Sequence, residues 1–168
     1  GGTAAAIFKS STGGWVSVPT GSEISFTAAG TNVDEGDTLT QGGVTATIKR
    51  IVLTSGTFAG GTAAGRLIIH TVAGGNFAAG AATTTGAGAL TLSGAQSLIA
   101  ILPTGSYEFI VENFGGSAGT KRIYGIDSVN RGFEFDGTDY SYTPITTGMT
   151  PDVPTHVVAH KNHLCFSF

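Results

Sequence analysis

The sequence predicts an all-β protein, and three observations predict it. Short alternations of apolar and polar residues recur along the 168-residue chain, and this is the periodicity of half-buried strands. Glycine and asparagine stand between these segments, where they accept the positive φ of tight hairpin turns. No window carries apolar residues at the helical spacing i, i+3, i+4, i+7 free of glycine or β-branched interruption. We therefore expect short antiparallel hairpins.

The predicted strands follow one another at short intervals. A first hairpin joins 6–9 to 15–18 across Gly13-Gly14, and a second joins 107–111 to 121–126 across 115–119. Towards the end of the chain, Phe133 and Phe135 share one face before an Asp-Gly turn. A final hairpin is predicted around Lys161-Asn162, with His160 and His163 on either side of the turn. Further strands are predicted at 23–26, 44–53, 67–69, 90–92 and 98–102.

A shift in composition divides the chain into two domains. Residues 30–103 contain no Trp or Tyr and only two Phe, and most of the Ala, Gly and Thr enrichment lies there. We interpret 30–103 as a small β-barrel or sandwich module inserted into an aromatic-rich β body of 1–29 and 104–168. The stretch 7–21 is similar to 133–148, since each has an apolar strand, a glycine turn, an aromatic residue, then a proline and a glycine. Repeated short sheets of this kind predict a propeller-like body.

The charge content argues against several classes of function. The chain has 8 Lys and Arg against 11 Asp and Glu, a net charge of −3, and only 11% charged residues. Its only basic pairs are at 49–50 and 121–122, so it lacks the basic stripe of a protein that grips nucleic acid. No apolar run approaches the roughly 20 residues of a membrane helix, and the single Cys165 excludes an internal disulfide. So few charges suit permanent packing against other subunits.

Two motifs imitate catalytic sequences. The stretch 115–119 matches G-x-S-x-G with Ser117 as nucleophile, but that motif needs a helix after the serine. A strand pattern follows within two residues, which favours a glycine-rich hairpin tip. The stretch 92–96 resembles the signature loop of transport ATPases, yet no phosphate-binding loop accompanies it.

His156, His160 and His163 form the only metal-like cluster, and we interpret them as polar positions on a hairpin surface. A metal site needs three or four ligands that converge on one point. The acidic stretch 34–37 lacks the spacing of an EF-hand loop and is interpreted as a solvated turn.

Two carboxylate pairs have the residue types of a glycosidase: Glu108 with Glu112, and Asp136 with Asp139. No aromatic sugar platform accompanies either pair in a clear cleft pattern. We therefore predict no catalytic, cofactor-binding or metal-binding residues, and no enzymatic activity.

Several turn motifs, taken in order, carry a resemblance to a known family. They are Ile7-Phe8-Lys9 with Gly14-Trp15, then 23–26 and 54–65, then 130–137, 144–149, 154–156 and 160–164. Together they resemble the tail nozzle (tail tubular or hub) proteins of short-tailed bacteriophages, across nearly the whole chain. Cys165 departs from the aromatic or aliphatic residue expected there, and a small buried thiol is a tolerable replacement in a strand.

The resemblance implies a structural protein of the virion tail. It implies a propeller-like body in a homo-oligomeric ring, a hexamer, around the channel through which genomic DNA is ejected. Portal-side adaptor and fibre proteins would pack outside, and DNA would pass without sequence-specific binding. The chain would be part of a longer protein, in keeping with its end inside a strand pattern at Phe168. The alternative is a carbohydrate- or cell-surface-binding β module of a phage fibre or adhesin, with Trp15 and Tyr140 or Tyr142 as a stacking platform. A tail-associated glycosidase ranks last.

Overall fold

The computed structural model describes residues 6–137 and 141–168, and it is all-β, as predicted. The fifteen strands of these residues are β1 (Phe8–Ser11), β2 (Gly14–Ser17), β3 (Ser22–Ala29), β4 (Thr38–Gln41), β5 (Val44–Ser55), β6 (Ala63–Ala73), β7 (Gly80–Thr84), β8 (Ala89–Leu92), β9 (Ser97–Leu98), β10 (Glu108–Glu112), β11 (Arg122–Ile126), β12 (Phe133–Asp136), β13 (Ser141–Pro144), β14 (His156–His160) and β15 (His163–Ser167). One 3₁₀ turn, Ala118–Thr120, lies between β10 and β11. Within the described ranges, no helix is long and apolar enough to cross a membrane.

The chain forms two compact units. One unit is continuous and runs from Thr20 to Ile99, and we call it the barrel unit. The other combines Gly1–Pro19 with Ala100–Phe168, and we call it the meander unit. The sequence placed the corresponding boundaries at 30 and 103.

The barrel unit is a closed antiparallel barrel of six strands. Its order is β6-β5-β4-β7-β8-β3, and the pairing of β3 with β6 closes the ring. β9 adds to β3 outside the ring. Along β3 the side chains alternate between the interior and the outside, so that Ile24 and Phe26 are buried while Ser25 and Thr27 are accessible. Leu39, Ile48 and Leu67 join them in the core from β4, β5 and β6.

The closure of the barrel depends on a glycine. Gly65 of β6 stands opposite both Phe26 of β3 and Leu53 of β5. A Cβ at this position would lie 2.0 Å from the carbonyl oxygen of Val52, which is backbone and cannot move aside. Register shifts along β5 and β6 add local bends to the longest strand pair. Glycine and β-bulges together allow the tight curvature of a small barrel.

The meander unit is built on one open sheet. Its strands follow chain order, β10-β11-β12-β13, and each neighbouring pair is antiparallel. Two separate hairpins, β1–β2 and β14–β15, belong to the same unit. All four hairpins predicted from the sequence are present. At the last turn, Lys161 and Asn162 have φ of 46° and 64°, the backbone conformation that a two-residue hairpin of this type requires.

One face of the sheet is covered by the β14–β15 hairpin. Tyr124, Ile126 and Val157 are buried in this layer. Ile110, Leu164 and Phe166 pack around them. The alternation along β10 and β11 directs Ile110 and Tyr124, which are register partners, to this side.

The buried carboxylate of Asp127 orders a turn that holds the first residues of the second segment of the meander unit, near Leu102. Asp127 accepts hydrogen bonds from the backbone N–H groups of Val129 and Asn130, at 3.0 and 2.6 Å. The Asn130 side chain in turn accepts from the Leu102 N–H and donates to the Leu102 carbonyl, at 2.8 and 3.0 Å. The amide therefore imitates a strand partner for Leu102.

Two expectations differ from the structure. The predicted strand at 23–26 falls within the predicted outer body, but it is part of β3, which pairs with β6, β8 and β9 and belongs to the barrel. For the predicted propeller-like body, the described residues contain a single four-stranded meander with two hairpins and no propeller. A propeller arranges several such sheets around an axis.

Candidate functional site

The face of the sheet opposite the β14–β15 hairpin carries an apolar surface. The registers place Phe109, Ile123 and Phe135 on this face, and Gly125 and Phe133 beside them. Their neighbours Glu108, Tyr124 and Glu134 project to the other side by the alternation of a strand. Since Phe133 and Phe135 are both buried, the prediction that they share one face is confirmed.

The β1–β2 hairpin forms the second wall of a groove over this face. Phe8, Ser10 and Trp15 lie on one side of the hairpin, because Ser10 pairs with Trp15 and Phe8 with Ser17. The space between hairpin and sheet measures about 560 Å³. Six aromatic side chains line it, and we call it the aromatic groove: Phe8, Trp15, Tyr107, Phe109, Phe133 and Phe135. Trp15 is 75% exposed and Phe109 is 61% exposed.

The floor of the aromatic groove is a stack of rings over a glycine. A Cβ at Gly125 would lie 2.5 Å from the ring of Phe133, so the missing side chain leaves the space that the end of this ring occupies on β11. Phe133 stacks on Tyr142 at a centroid distance of 4.9 Å and meets Tyr107 edge-on at 6.3 Å. These offset and edge-on arrangements are the favourable ones for aromatic pairs.

The two tyrosines of this stack are held in their neutral form. Burial, followed by the negative charge of Asp127, raises the pKa of Tyr142 well above its ordinary value. The same two causes, in the same order, raise the pKa of Tyr107. Tyr142 is only 3% exposed, and this corrects the expectation that it forms an exposed stacking platform. Tyr140, the other proposed platform residue, lies outside the described residues.

The chemistry of the aromatic groove is that of apolar recognition. Among its described lining residues, Lys9, Ser10, Trp15 and Tyr107 carry polar side-chain groups, and the other lining side chains are apolar. The groove is therefore suited to hold apolar or aromatic side chains of another molecule.

Glu108 projects from the face of the sheet opposite the aromatic groove, where it contacts the β14–β15 hairpin. Its two carboxylate oxygens contact the His156 Nδ1 at 3.0 Å and accept the Val157 N–H at 3.1 Å. The hydrogen bond with His156, followed by that from Val157, lowers the pKa of Glu108 below its ordinary value. Glu108 thereby fastens the β14–β15 hairpin to β10, the edge strand of the sheet.

The carboxylate pairs of the sequence take different positions. Glu108 and Glu112 lie four residues apart on the same strand, so their Cα atoms are about 13 Å apart. Asp136 forms an ion pair with Arg122 at 3.2 Å, and Asp139 lies outside the described residues. Glu108 and Asp136 are thus each bonded to a side chain of the protein, His156 and Arg122 respectively.

The histidine cluster lies on the outer face of the last hairpin. His160 and His163 are register partners, as predicted, and His156 is four pairs away beside Glu108. The Nδ1 of His163 contacts the Lys161 carbonyl at 2.9 Å, and Cys165 is exposed. In the described part of the chain, no three or more His, Cys, Asp or Glu side chains are grouped so that they could hold a metal ion.

The side chains of the G-x-S-x-G motif and of the acidic stretch 34–37 make contacts within the protein. Ser117 precedes a single 3₁₀ turn and its hydroxyl lies 3.2 Å from that of Thr120, in the loop before β11. In the acidic stretch, Glu35 pairs with Arg50 at 2.9 Å and accepts the Ile51 N–H. Ser117 is thus held within its own loop, and Glu35 ties the loop before β4 to strand β5.

A second cavity, which the sequence did not indicate, lies at one end of the barrel. It measures about 370 Å³ and lies where β3 begins and β6 ends. We call it the polar cleft, and its polar side chains are Thr20, Ser22, His70, Thr71, Asn76 and Gln96. Leu98 of β9 stands at its edge and is 81% exposed. These residues are scattered through the sequence, so no motif connects them.

The whole chain was compared with known protein families, curated proteins and solved structures. No protein-family model, no curated protein and no solved structure matches the chain.

Proposed function

We propose that the chain is part of a structural subunit of a virion tail, in the nozzle ring of a short-tailed bacteriophage. The aromatic groove is the observation that carries the proposal. Its most exposed members, Trp15 and Phe109, lie together with Phe8 and Tyr107 on one surface of the meander unit. Contiguous exposed aromatic patches are uncommon on monomers and mark interaction sites. The turn motifs that resemble nozzle proteins support the same assignment.

The occupant that we propose for the groove is a second copy of the chain. With only 11% charged residues, the protein has few means of remaining a dilute monomer. Aromatic residues are enriched in the cores of protein interfaces, whereas Lys and Glu are depleted there. A contact between the groove and a different surface of the next copy is heterologous, and such contacts close into rings when the rotation permits. We infer a ring of this kind, a hexamer as the resemblance implies.

The meander supports a propeller-like arrangement for the assembled body. Four antiparallel strands in chain order, β10 to β13, are the composition of one propeller blade. We infer that this sheet acts as one blade in a larger ring of sheets around the channel. β10 and β13 are the edges at which such a sheet meets its surroundings.

The proposed channel conducts DNA and does not bind it specifically. A net charge of −3 gives no electrostatic grip on phosphates, whose neutralisation by Lys and Arg supplies most non-specific affinity. Adaptor proteins on the portal side and fibre proteins pack around the ring in this proposal. The role is structural, without enzymatic activity.

Sedimentation velocity and cryo-electron microscopy of the purified chain test the proposal. The wild-type protein at about 50 µM, a concentration at which micromolar contacts are populated, is expected to form cyclic particles. Phe109→Ser should shift it to monomers, because it places a hydroxyl in the centre of the interface. Leu53→Ser is the matched control, since Leu53 is also about half exposed, at 47%, but lies on β5 of the barrel. A wild-type protein that stays monomeric, or equal assembly of Phe109→Ser and wild type, would refute the ring.

Glycan or cell-surface binding by the groove is the second candidate function, and the exposure of Trp15 favours it. A tryptophan ring open to solvent can stack on a sugar. The groove offers few hydrogen-bond partners for sugar hydroxyls, which ranks this function below assembly. Binding to a glycan array that disappears in Trp15→Ala, with the far-ultraviolet circular dichroism unchanged, would reverse that order.

A further inference from the structure

The polar cleft differs from the aromatic groove in carrying hydrogen-bonding groups without formal charge. Its described lining residues include no Lys, Arg, Asp or Glu, and His70 is the only titratable group among them. A cleft without cations does not select phosphates or carboxylates. The cleft does not select a purely apolar ligand either, because such a ligand would leave the Asn76 amide and the Gln96 Nε2 group without hydrogen-bond partners.

Gln96 is fixed in place at the edge of the cleft. Its Oε1 accepts the Phe77 N–H at 3.0 Å, and its own backbone N–H donates to the Phe77 carbonyl at 3.3 Å. These two contacts leave the Nε2 group as a donor with no hydrogen-bond partner among the described residues. A side chain that is already oriented loses little entropy when it binds a ligand.

Asn76 supplies a second amide beside Gln96. It is exposed, and its side chain makes no hydrogen bond within the described part of the protein. Each amide has one donor group and one acceptor atom. Together the two amides can bond groups that both donate and accept, and hydroxyl groups have that property.

Packing places His70 against the floor of the cleft. A Cβ at Gly21 would lie 2.3 Å from the imidazole Cδ2, so the ring occupies the space that a side chain would fill. His70 is buried, at 8% exposure. Gly21 also has φ of +72°, a conformation that other residues rarely adopt.

Leu98 provides an apolar contact next to these polar groups. The pairing of Ser22 with Leu98 in the short β9 strand holds its backbone at the edge of the barrel, yet its side chain remains in solvent. Exposed leucines are common when they are scattered, but this one borders a cavity that contains the Asn76 amide and the Gln96 Nε2 donor. An aliphatic side chain of this kind can pack against the C–H face of a sugar ring.

We propose that the polar cleft binds one ring of a neutral saccharide. The amides pair with the sugar hydroxyls, Leu98 covers the C–H face, and the volume of about 370 Å³ is within the range of small-molecule sites. The proposal does not depend on the ring assembly, because every residue that carries it belongs to the barrel unit.

Chemical-shift titration by NMR tests the proposal with N-acetylglucosamine and galactose as probes, up to about 20 mM, the range of weak single-site binding. The expected result is a saturable shift confined to the cleft with at least one probe. N-acetylneuraminic acid, which is charged, should produce none. Asn76→Ala and Leu98→Ala should each weaken binding about 3- to 10-fold, which corresponds to one lost contact. Leu53→Ala is the matched control and should bind as the wild type does.

A second arm asks whether the sugar is free or part of a surface glycan. Retention on chitin and on immobilised galactan, competed with N-acetylglucosamine and with galactose respectively, identifies a surface glycan, whereas binding of the monosaccharide alone identifies a free sugar. Either result supports the cleft. The proposal is refuted if neither neutral probe shifts the cleft residues, if Asn76→Ala and Leu98→Ala both bind as tightly as the wild type, or if the shifts map to Trp15 and are lost in Trp15→Ala.

Discussion

The two units bury their apolar side chains in different ways. In the barrel unit each of the six ring strands has two neighbours, and large side chains such as Phe26 and Leu67 fill the closed interior. The meander unit has an open sheet with two edges and two faces. The β14–β15 hairpin covers one face, while the β1–β2 hairpin leaves the aromatic groove on the other.

The barrel unit buries its apolar residues when the chain folds, whereas the meander unit retains exposed apolar residues that are available for association. A closed barrel removes its edges and buries its apolar residues without help from another molecule. The meander unit leaves Phe109 and Trp15 exposed, and in the proposed assembly they are buried by a second copy of the chain. The Ala, Gly and Thr residues of the barrel suit a closed ring, because small side chains permit tight curvature. The aromatic residues of the meander unit suit association, because aromatic rings supply large contact areas.

The largest expected effect separates a buried phenylalanine from an exposed one. Phe26→Ala should lower the free energy of unfolding by about 3–5 kcal/mol, because it leaves a cavity in the barrel interior. Phe109→Ala should change the stability of the monomer by no more than about 0.5 kcal/mol, since the side chain is mostly in water. Urea unfolding monitored by far-ultraviolet circular dichroism measures both. Equal losses for the two variants would show that the groove is part of the monomer core.

Two glycine substitutions sharpen the comparison at the level of the backbone. Gly65→Ala should cost about 3 kcal/mol or more, because its Cβ would meet the backbone oxygen of Val52. Gly125→Ala should cost about 1–2 kcal/mol, because its Cβ would meet the ring of Phe133, which can tilt. Near-ultraviolet circular dichroism at 280 nm isolates the meander unit, since Trp15 and all four tyrosines lie there. A cost for Gly125→Ala that equals or exceeds that for Gly65→Ala would contradict the account.

The smallest expected effect concerns the covered face of the meander unit. The pKa of Glu108 is lower in the folded protein than in the unfolded chain, because His156 and Val157 bond its carboxylate. The resulting stabilisation is complete above the unfolded value and is lost as the pH falls through the folded value. Glu108→Gln should therefore flatten the decline of stability below about pH 5. Glu112→Gln, from the same strand, should leave it unchanged, and identical pH profiles for all three proteins would remove Glu108 from this role.

Local turn chemistry made much of the meander unit predictable. Lys161-Asn162 and the alternation of Phe133 and Phe135 specify two hairpins, β14–β15 and β12–β13, and within each hairpin the paired strands are close together in the sequence. The closure of the barrel is different, because β3 and β6 pair across about forty residues and no local pattern encodes that contact. Composition alone does not locate the boundary between the two units, because Phe26 is aromatic like the residues of the outer body but packs inside the barrel.

The candidate sites were less predictable than the strands. Tyr142 and Phe109 both stand on strands that alternate, yet one is buried in a stack and the other is in solvent, and only the packing of the β1–β2 hairpin and the sheet decides this. The polar cleft depends on four separate segments that meet at the end of a closed ring, including Asn76 and Gln96. A single sequence contains no signal for such a meeting.

The fluorescence of Trp15, followed together with the sedimenting mass, tests the central claim most directly. Trp15 is the only tryptophan of the chain and borders the aromatic groove. As the concentration rises from about 1 to about 100 µM, the range of micromolar association, its emission should move to shorter wavelength while the mass increases to that of a closed ring. The same titration of Phe109→Ser should show neither change. A mass that stays monomeric, or a ring that forms while the Trp15 emission remains that of a solvent-exposed indole, would contradict assembly through the aromatic groove.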